Sequence, residues 1–312
     1  MKALEPFLQK HRERIVGLDI LRCVAILAVV YSHGANLIPR NARDTYEQFN
    51  IVKIDGVSIF FVLSGFLIGG ILLKTITRTD FTNKDLLNFW VRRWFRTIPN
   101  YLLVLVGLLS YSMLVIKSDR ASFRYFFFLQ NFSSPQSEFF PESWSLCVEE
   151  WFYLFFPALC FLLNSSLKKK SKAVLIAALL FLIFPLVIRI FKFESGVPDF
   201  DTGIRKVMIL RLDSLMYGVI AAYLAFKQPA FWLRYKKAFF LAGIVLVVLF
   251  YFNPLSWTTA YPPLLFNIES IITFCFLPIL STYRTTRVRS MDAAFIFISI
   301  ISYMDFVLLV EY

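Results

Sequence analysis

The chain has 312 residues, a net charge of +12, 58% hydrophobic residues and only 17% charged ones. Soluble domains usually carry about a quarter charged residues, and here apolar runs of bilayer-crossing length recur, so an ordinary soluble enzyme is excluded. The basic residues gather between those runs, which ties the positive charge to membrane orientation and gives no reason to expect nucleic acid as a partner.

A spanning helix needs about 20 mostly apolar residues. Nine segments qualify in chain order: 15–37, 54–76, 98–116, 144–164, 173–191, 204–226, 238–253, 262–281 and 291–310. They predict an all-α, polytopic transmembrane helix bundle that forms a single domain over 1–312. The first run follows Lys2, Lys10, Arg12 and Arg14 and is too long for a cleaved signal peptide, so it reads as an uncleaved first span. Span two holds GVSIFFVLSGFLIGG, in which Ser64, Gly65, Gly69 and Gly70 would let another backbone approach or line a substrate path.

Between spans two and three lies KDLLNFWVRRWFRTIPNY, Lys84 to Tyr101. Leu86, Trp90 and Trp94 recur every four residues while Arg92, Arg93 and Arg96 form another face, the pattern of an amphipathic helix at the membrane surface. Those arginines suit either anionic lipid headgroups or the phosphates of a cytoplasmic nucleotide cofactor. The aromatic segment 120–132 is too short to span and reads as re-entrant or interfacial. With the N-terminus in the cytoplasm, most of the Lys and Arg fall in inner segments, as the positive-inside rule requires. Cys23, Cys147, Cys160 and Cys275 read as packing residues, and with two histidines in the chain no metal site is expected.

A charge inside a bilayer costs about 2.5–3.5 kcal/mol on insertion scales, so its presence asks for a role. Arg22, His33, Glu149, Glu150, Arg211 and Asp213 stand out. Arg22 and His33 are eleven residues apart, about 16 Å of rise and about 20° of rotation, so one stripe of the first span carries both. Glu149 and Glu150 are expected near the outer end of span four, at the depth of His33. A histidine oriented by a carboxylate is what a general base needs to take a proton from a hydroxyl. Arg211 and Asp213 suit either an intramembrane pair or contacts to a bound acceptor.

Five ordered motifs resemble those of the acyltransferase 3 family of integral-membrane acyltransferases, over about Gly17 to Tyr303. They are Arg22 and His33 with ten positions between them; the FFVLSGF segment from Phe60 to Phe66; Arg92, Arg93, Arg96, Pro99 and Tyr101; Trp144, Ser145, Leu146, Glu149, Phe152 and Tyr153; and Arg211, Leu212, Asp213, Leu215 and Gly218. Two departures stand beside them. Many members have an acid where this chain has Ser58, with Asp55 nearby but out of register. The closing segment ISYMDFVLLVEY begins like the family's and then loses the pattern, so the domain is expected to stop short of the family's usual ten or so spans.

The resemblance implies a multi-pass protein of the bacterial inner membrane that moves an acyl group, commonly acetyl, from acyl-CoA to a hydroxyl of an extracytoplasmic polysaccharide or glycolipid. On this reading catalysis is expected of His33 as general base, Glu149 as the acid that orients it, and Arg22. Acyl-CoA is expected at Arg92, Arg93 and Arg96, and acceptor contacts at Ser64, Glu150, Arg211 and Asp213. Membrane lipids are the other expected partners. Rival readings are a flippase or transporter for a glycan precursor, and a catalytically inactive truncated homologue.

Overall fold

The computed structural model describes residues 14–34, 54–78, 81–116, 123–136, 139–166, 170–196, 199–252, 261–284 and 289–308. Residues 1–13, 120–122 and the closing four residues, on which some expectations rest, lie outside them. Among the described residues the chain is helical throughout. Ten α-helices follow in order: α1 Val16–Gly34, α2 Gly56–Ile76, α3 Asn83–Tyr111, α4 Trp144–Ser166, α5 Lys170–Glu194, α6 Leu212–Lys227, α7 Pro229–Arg234, α8 Lys236–Phe252, α9 Leu265–Leu280 and α10 Arg289–Leu308. Six helical stretches (Val16–Gly34, Gly56–Ile76, Asn83–Leu114, Pro141–Asn164, Lys170–Glu194 and Pro262–Leu280) are long and apolar enough to cross a membrane. The other three expected spans coincide with α6, α8 and α10, which fall short of that standard.

Two boundaries differ from the sequence reading, each for a local reason. The amphipathic segment and the third span are one continuous helix, α3. It starts at a capping box between Thr82 and Asp85 and runs through Pro99 into a π-turn at Ser112–Ile116. Proline removes one backbone donor, which alone does not end a helix whose flanks are long and apolar. The sixth span begins late, at Leu212 rather than 204. The amides of Met208 and Ile209 donate to the carbonyls of Asn131 and Phe132, at 2.8 and 3.2 Å, and so are drawn out of any helical ladder. The amide of Asn131 ties the same loop to the carbonyls of Lys206 and Trp144. The end of the segment expected to be re-entrant or interfacial thus bonds to the turn that precedes α6.

The bundle is built on α2 and α6, the most extensive helix pair. They run parallel: Gly65 faces Leu215, and Gly69 faces Val219 and Ala222. A Cβ on Gly65 would run into the Leu215 carbonyl, and one on Gly218 into the Val62 carbonyl, so backbone meets backbone here and only glycine fits. Gly70 faces open space. α1 is antiparallel to α2, with Gly56 against Ala25 and Val29, and its N-terminal Gly17 reaches the end of α9, donating to the Tyr283 carbonyl at 2.9 Å.

Candidate active site

Helix α2 carries a polar constellation at each end. At its N-terminus Asp55 caps the helix by accepting from the Val57 amide at 3.0 Å. Ser58, one turn on, donates to Glu269 of α9 at 2.7 Å, and Glu269 also accepts from the Asp55 amide at 3.0 Å. Arg211 donates to Ser58 Oγ at 3.0 Å, stands 3.7 Å from Asp55, and lays its guanidinium on the Phe266 ring, 3.6 Å from the centroid. Beside it Arg189 of α5 is wholly buried. Its guanidinium grips Asp213 at 2.7 and 3.1 Å and donates to Asn267 and to the carbonyls of Pro263 and Leu210. Asn267 in turn donates to Asp213 and Tyr217.

The expected pairing of Arg211 with Asp213 is therefore corrected. Asp213 pairs with Arg189, and Arg211 is held by Asp55, Ser58 and an aromatic face. A bidentate guanidinium with every remaining proton matched is the geometry a buried ion pair needs to offset desolvation. Sequence reasoning passed over Arg189 and Glu269, although both lie inside apolar runs, where the rule that singled out Arg211 applies equally.

Arg22 and His33 share a helix but not an environment. Arg22 is buried and donates to Asp19, one turn earlier, at 2.7 Å; Arg14 grips the same carboxylate, and Ser299 of α10 donates to it. Asp19, 1% exposed, was another charge inside the first run that the sequence reading left aside. His33 is exposed, and its Nδ1 lies 2.9 Å from the Val29 carbonyl. A carbonyl oxygen only accepts, so in the neutral ring Nδ1 carries the proton and Nε2 keeps its lone pair.

Glu149 is not at the depth of His33. Ser64 donates to Glu149 Oε1 at 2.6 Å and Tyr153 donates to Oε2 at 2.9 Å. Ser64 is eight residues along α2 from Gly56, which packs on Val29; His33 is four residues beyond Val29 in the antiparallel helix. At 1.5 Å per residue that separates His33 and Ser64 by about 18 Å along the bundle. Among the described residues, His33 and Glu149 share no hydrogen bond. The sequence reading placed Glu149 by counting from the start of its span, and the neighbouring helix sets the true level.

Glu149 belongs with the arginines. The Arg93 guanidinium lies over the Tyr153 ring, 5.6 Å from its centroid, and Arg93 and Arg96 are within electrostatic reach of Glu149. Trp90 donates to the Tyr153 carbonyl at 2.9 Å, and Thr97 donates to Glu150 at 2.7 Å, so α3 is pinned to α4 along its arginine-bearing stretch. The adjacent acids diverge: Glu149 turns to α2 and Glu150 to α3. Beyond them opens a cavity of about 340 Å³, lined by Ile71, Thr75 and Arg78 from the end of α2 and by Asp85, Asn88, Phe89, Arg92, Arg93 and Arg96 from α3. Four arginines face one acid there, and Arg78 stands 3.9 Å from that acid, Asp85. The arrangement suits a ligand with several negative charges and an extended body. No cluster of metal ligands occurs among the described residues.

Comparison with known proteins follows the same line. The family profile described as Acyltransferase domain matches residues 15–307. O-acetyltransferase OatA from Staphylococcus aureus strains NCTC 8325 / PS 47, COL and MRSA252 is in each case 30% identical over 235 residues, 70% of this chain and 35% of the relative. The matched part is thus about a third of those relatives. No solved structure matches.

Proposed function

This chain belongs to the acyltransferase 3 family, and from that membership we propose that it moves an acetyl group from acetyl-CoA to a hydroxyl of a glycan outside the bacterial inner membrane. The arginine-lined cavity carries this reading. Arg92, Arg93 and Arg96 hold the phosphates of the acyl donor. With the N-terminus inside, the arginine end of α2 faces the cytoplasm, where CoA is, and His33 faces the outside, where the acceptor is. His33 Nε2 is the proton acceptor for the glycan hydroxyl, fixed in that tautomer by the Val29 carbonyl. Glu149 acts on the donor side. Arg22 and Asp19 fasten α1 to α10 and hold the His33 helix in place. The names of the staphylococcal relatives support an acetyl group as the cargo.

The test supplies acetyl-CoA with a labelled acetyl group to one side of sealed membrane vesicles bearing this chain. Label should appear on glycan presented at the opposite face, and replacing His33 with Ala should remove it without removing the protein. Glycan labelled at the parental level in His33→Ala would overturn the catalytic role, and glycan that never acquires label would overturn the transfer.

A further inference from the structure

The lining of the arginine cavity changes with depth. On α3, Asp85, Asn88, Phe89, Arg92, Arg93 and Arg96 recur at three- and four-residue spacing, so they share one face of the helix. From Asp85 to Arg96 that face runs about 16 Å along the axis. Just past the end of α2, Arg78 stands 3.9 Å from Asp85 Oδ1. The other carboxylate oxygen of Asp85 accepts from the amide and the hydroxyl of Thr82, which fixes the acid in place. Lys170, at the start of α5, donates to the Arg78 carbonyl at 2.7 Å and brings a further cation to this mouth.

Positive charge therefore sits at two levels. Arg92, Arg93 and Arg96 form the inner one. Arg78 forms the outer one, at the level of Asp85, which is seven residues and about 10 Å along α3 from Arg92. Between the two levels the lining becomes an amide and an aromatic ring, Asn88 and Phe89. The Arg93 guanidinium lies 5.9 Å from the centre of that ring. A ring beside a guanidinium is a stacking platform for a nucleobase. An asparagine amide matches the edge of adenine, donating to N7 and accepting from the N6 amine. A lipid headgroup or a bare diphosphate would use the arginines and leave both of these idle. The cavity, about 340 Å³, is small among ligand pockets of about 300–1,000 Å³, so it takes one end of a long donor. The charges select the nucleotide end, because the pantetheine arm carries none.

We propose, resting on the acyl-CoA reading above, that this cavity reads the nucleotide of the donor and that Arg78 binds its 3′-phosphate. The diphosphate lies on the inner arginines, and adenine lies on Phe89 with its edge on Asn88. Arg78 is then the residue that tells CoA from its dephosphorylated form. The same contacts define the class of donor. It is a free CoA thioester, and not an acyl group on the phosphopantetheine of a carrier protein, which has the same arm without the nucleotide.

The experiment measures displacement of labelled CoA from the purified full chain in nanodiscs of neutral lipid, where anionic headgroups do not compete. Adenosine 3′,5′-bisphosphate should displace it. Dephospho-CoA should compete about 10-fold or more weakly than CoA, the effect of losing one charge-assisted contact. In Arg78→Ala the affinity ratio of CoA to dephospho-CoA should fall to near one. Arg78→Lys should restore most of that ratio, since a lysine still binds phosphate as a point charge. Guanosine 3′,5′-bisphosphate should compete more weakly than the adenosine compound, and Asn88→Ala should erase that difference. Arg78 and Asn88 are both exposed, so neither variant removes core packing. Dephospho-CoA that binds the parental chain as tightly as CoA overturns the assignment and leaves the acyl-CoA reading standing. So does a preference for CoA that survives in Arg78→Ala. Phosphopantetheine as effective as CoA overturns the nucleotide site as a whole. A parental chain that binds no CoA overturns both readings.

Discussion

The two ends of α2 hold charged residues in opposite ways. At its N-terminus, cations and anions interlock: Arg189 with Asp213, Arg211 with Asp55 and Ser58, and Glu269 with Ser58. Both arginines there are wholly buried. At the C-terminal end, four arginines border an open cavity against a single aspartate. The first arrangement holds helices together in a solvent that cannot solvate charge. The second gathers four guanidinium groups at the edge of an open space, where a ligand can reach them. Charge in a membrane protein thus points to a site where open space adjoins it rather than where it is locked between helices.

The largest effect expected is on the open end. Replacing Arg92, Arg93 and Arg96 together with Ala should lower kcat/KM for acetyl-CoA about 100-fold or more, since charge-assisted hydrogen bonds are worth about 1.5–3 kcal/mol each. Melting of the detergent-solubilised protein should hardly move. At the closed end the pattern inverts. Arg189→Ala strands Asp213 in a buried site and should destabilise the fold by about 3–5 kcal/mol, read as lost membrane accumulation and a lower Tm. An Arg189→Ala protein of parental stability would mean that the closed network is not structural.

Much of this contrast was legible in the sequence, and what was hidden has a physical cause. Six of the nine expected spans, the glycine-lined face of the second, and the arginine face of 84–101 follow from length and 3.6-residue periodicity. Partnership does not. Asp213 is two residues from Arg211 in sequence, yet its partner comes from α5, twenty-four positions earlier. Glu149 was matched in depth with His33, but Ser64 fixes its level, and that depends on how far α4 slides along α2. Helix periodicity reports which face a residue occupies; axial register between helices depends on contacts such as Gly65 on Leu215 that no single segment reveals. The acid expected near Phe60 is absent from that helix, but Glu269 reaches the Ser58 hydroxyl from α9. The carboxylate is supplied from another strand of the sequence.

Smaller effects sharpen the comparison further. Gly218→Ala should cost about 1–3 kcal/mol by forcing α6 off α2, with a lower Tm. Because Gly65 and Gly218 lie between the two ends, activity should fall along with stability. The smallest effect lies at the rim of the closed end, where Asp201 meets Arg205 and Lys206. Burial alone would raise the Asp201 carboxyl, but the two cations outweigh it and hold the group below its usual value. A depressed carboxyl stabilises the fold above its unfolded value of about 3.9 and loses that contribution as pH falls through the folded value. Asp201→Asn should therefore destabilise the fold at pH 7 by less than about 1 kcal/mol for so exposed a pair, read as a slightly lower Tm. The difference from the parental protein should shrink in acid.

The most direct measurement is equilibrium binding of labelled CoA to the purified chain in lipid nanodiscs. The parental protein and Asp201→Asn should bind with equal affinity, and the Arg92, Arg93 and Arg96 triple alanine variant should not bind at the same concentrations. Undiminished binding by the triple variant would contradict the assignment of the open end to the donor.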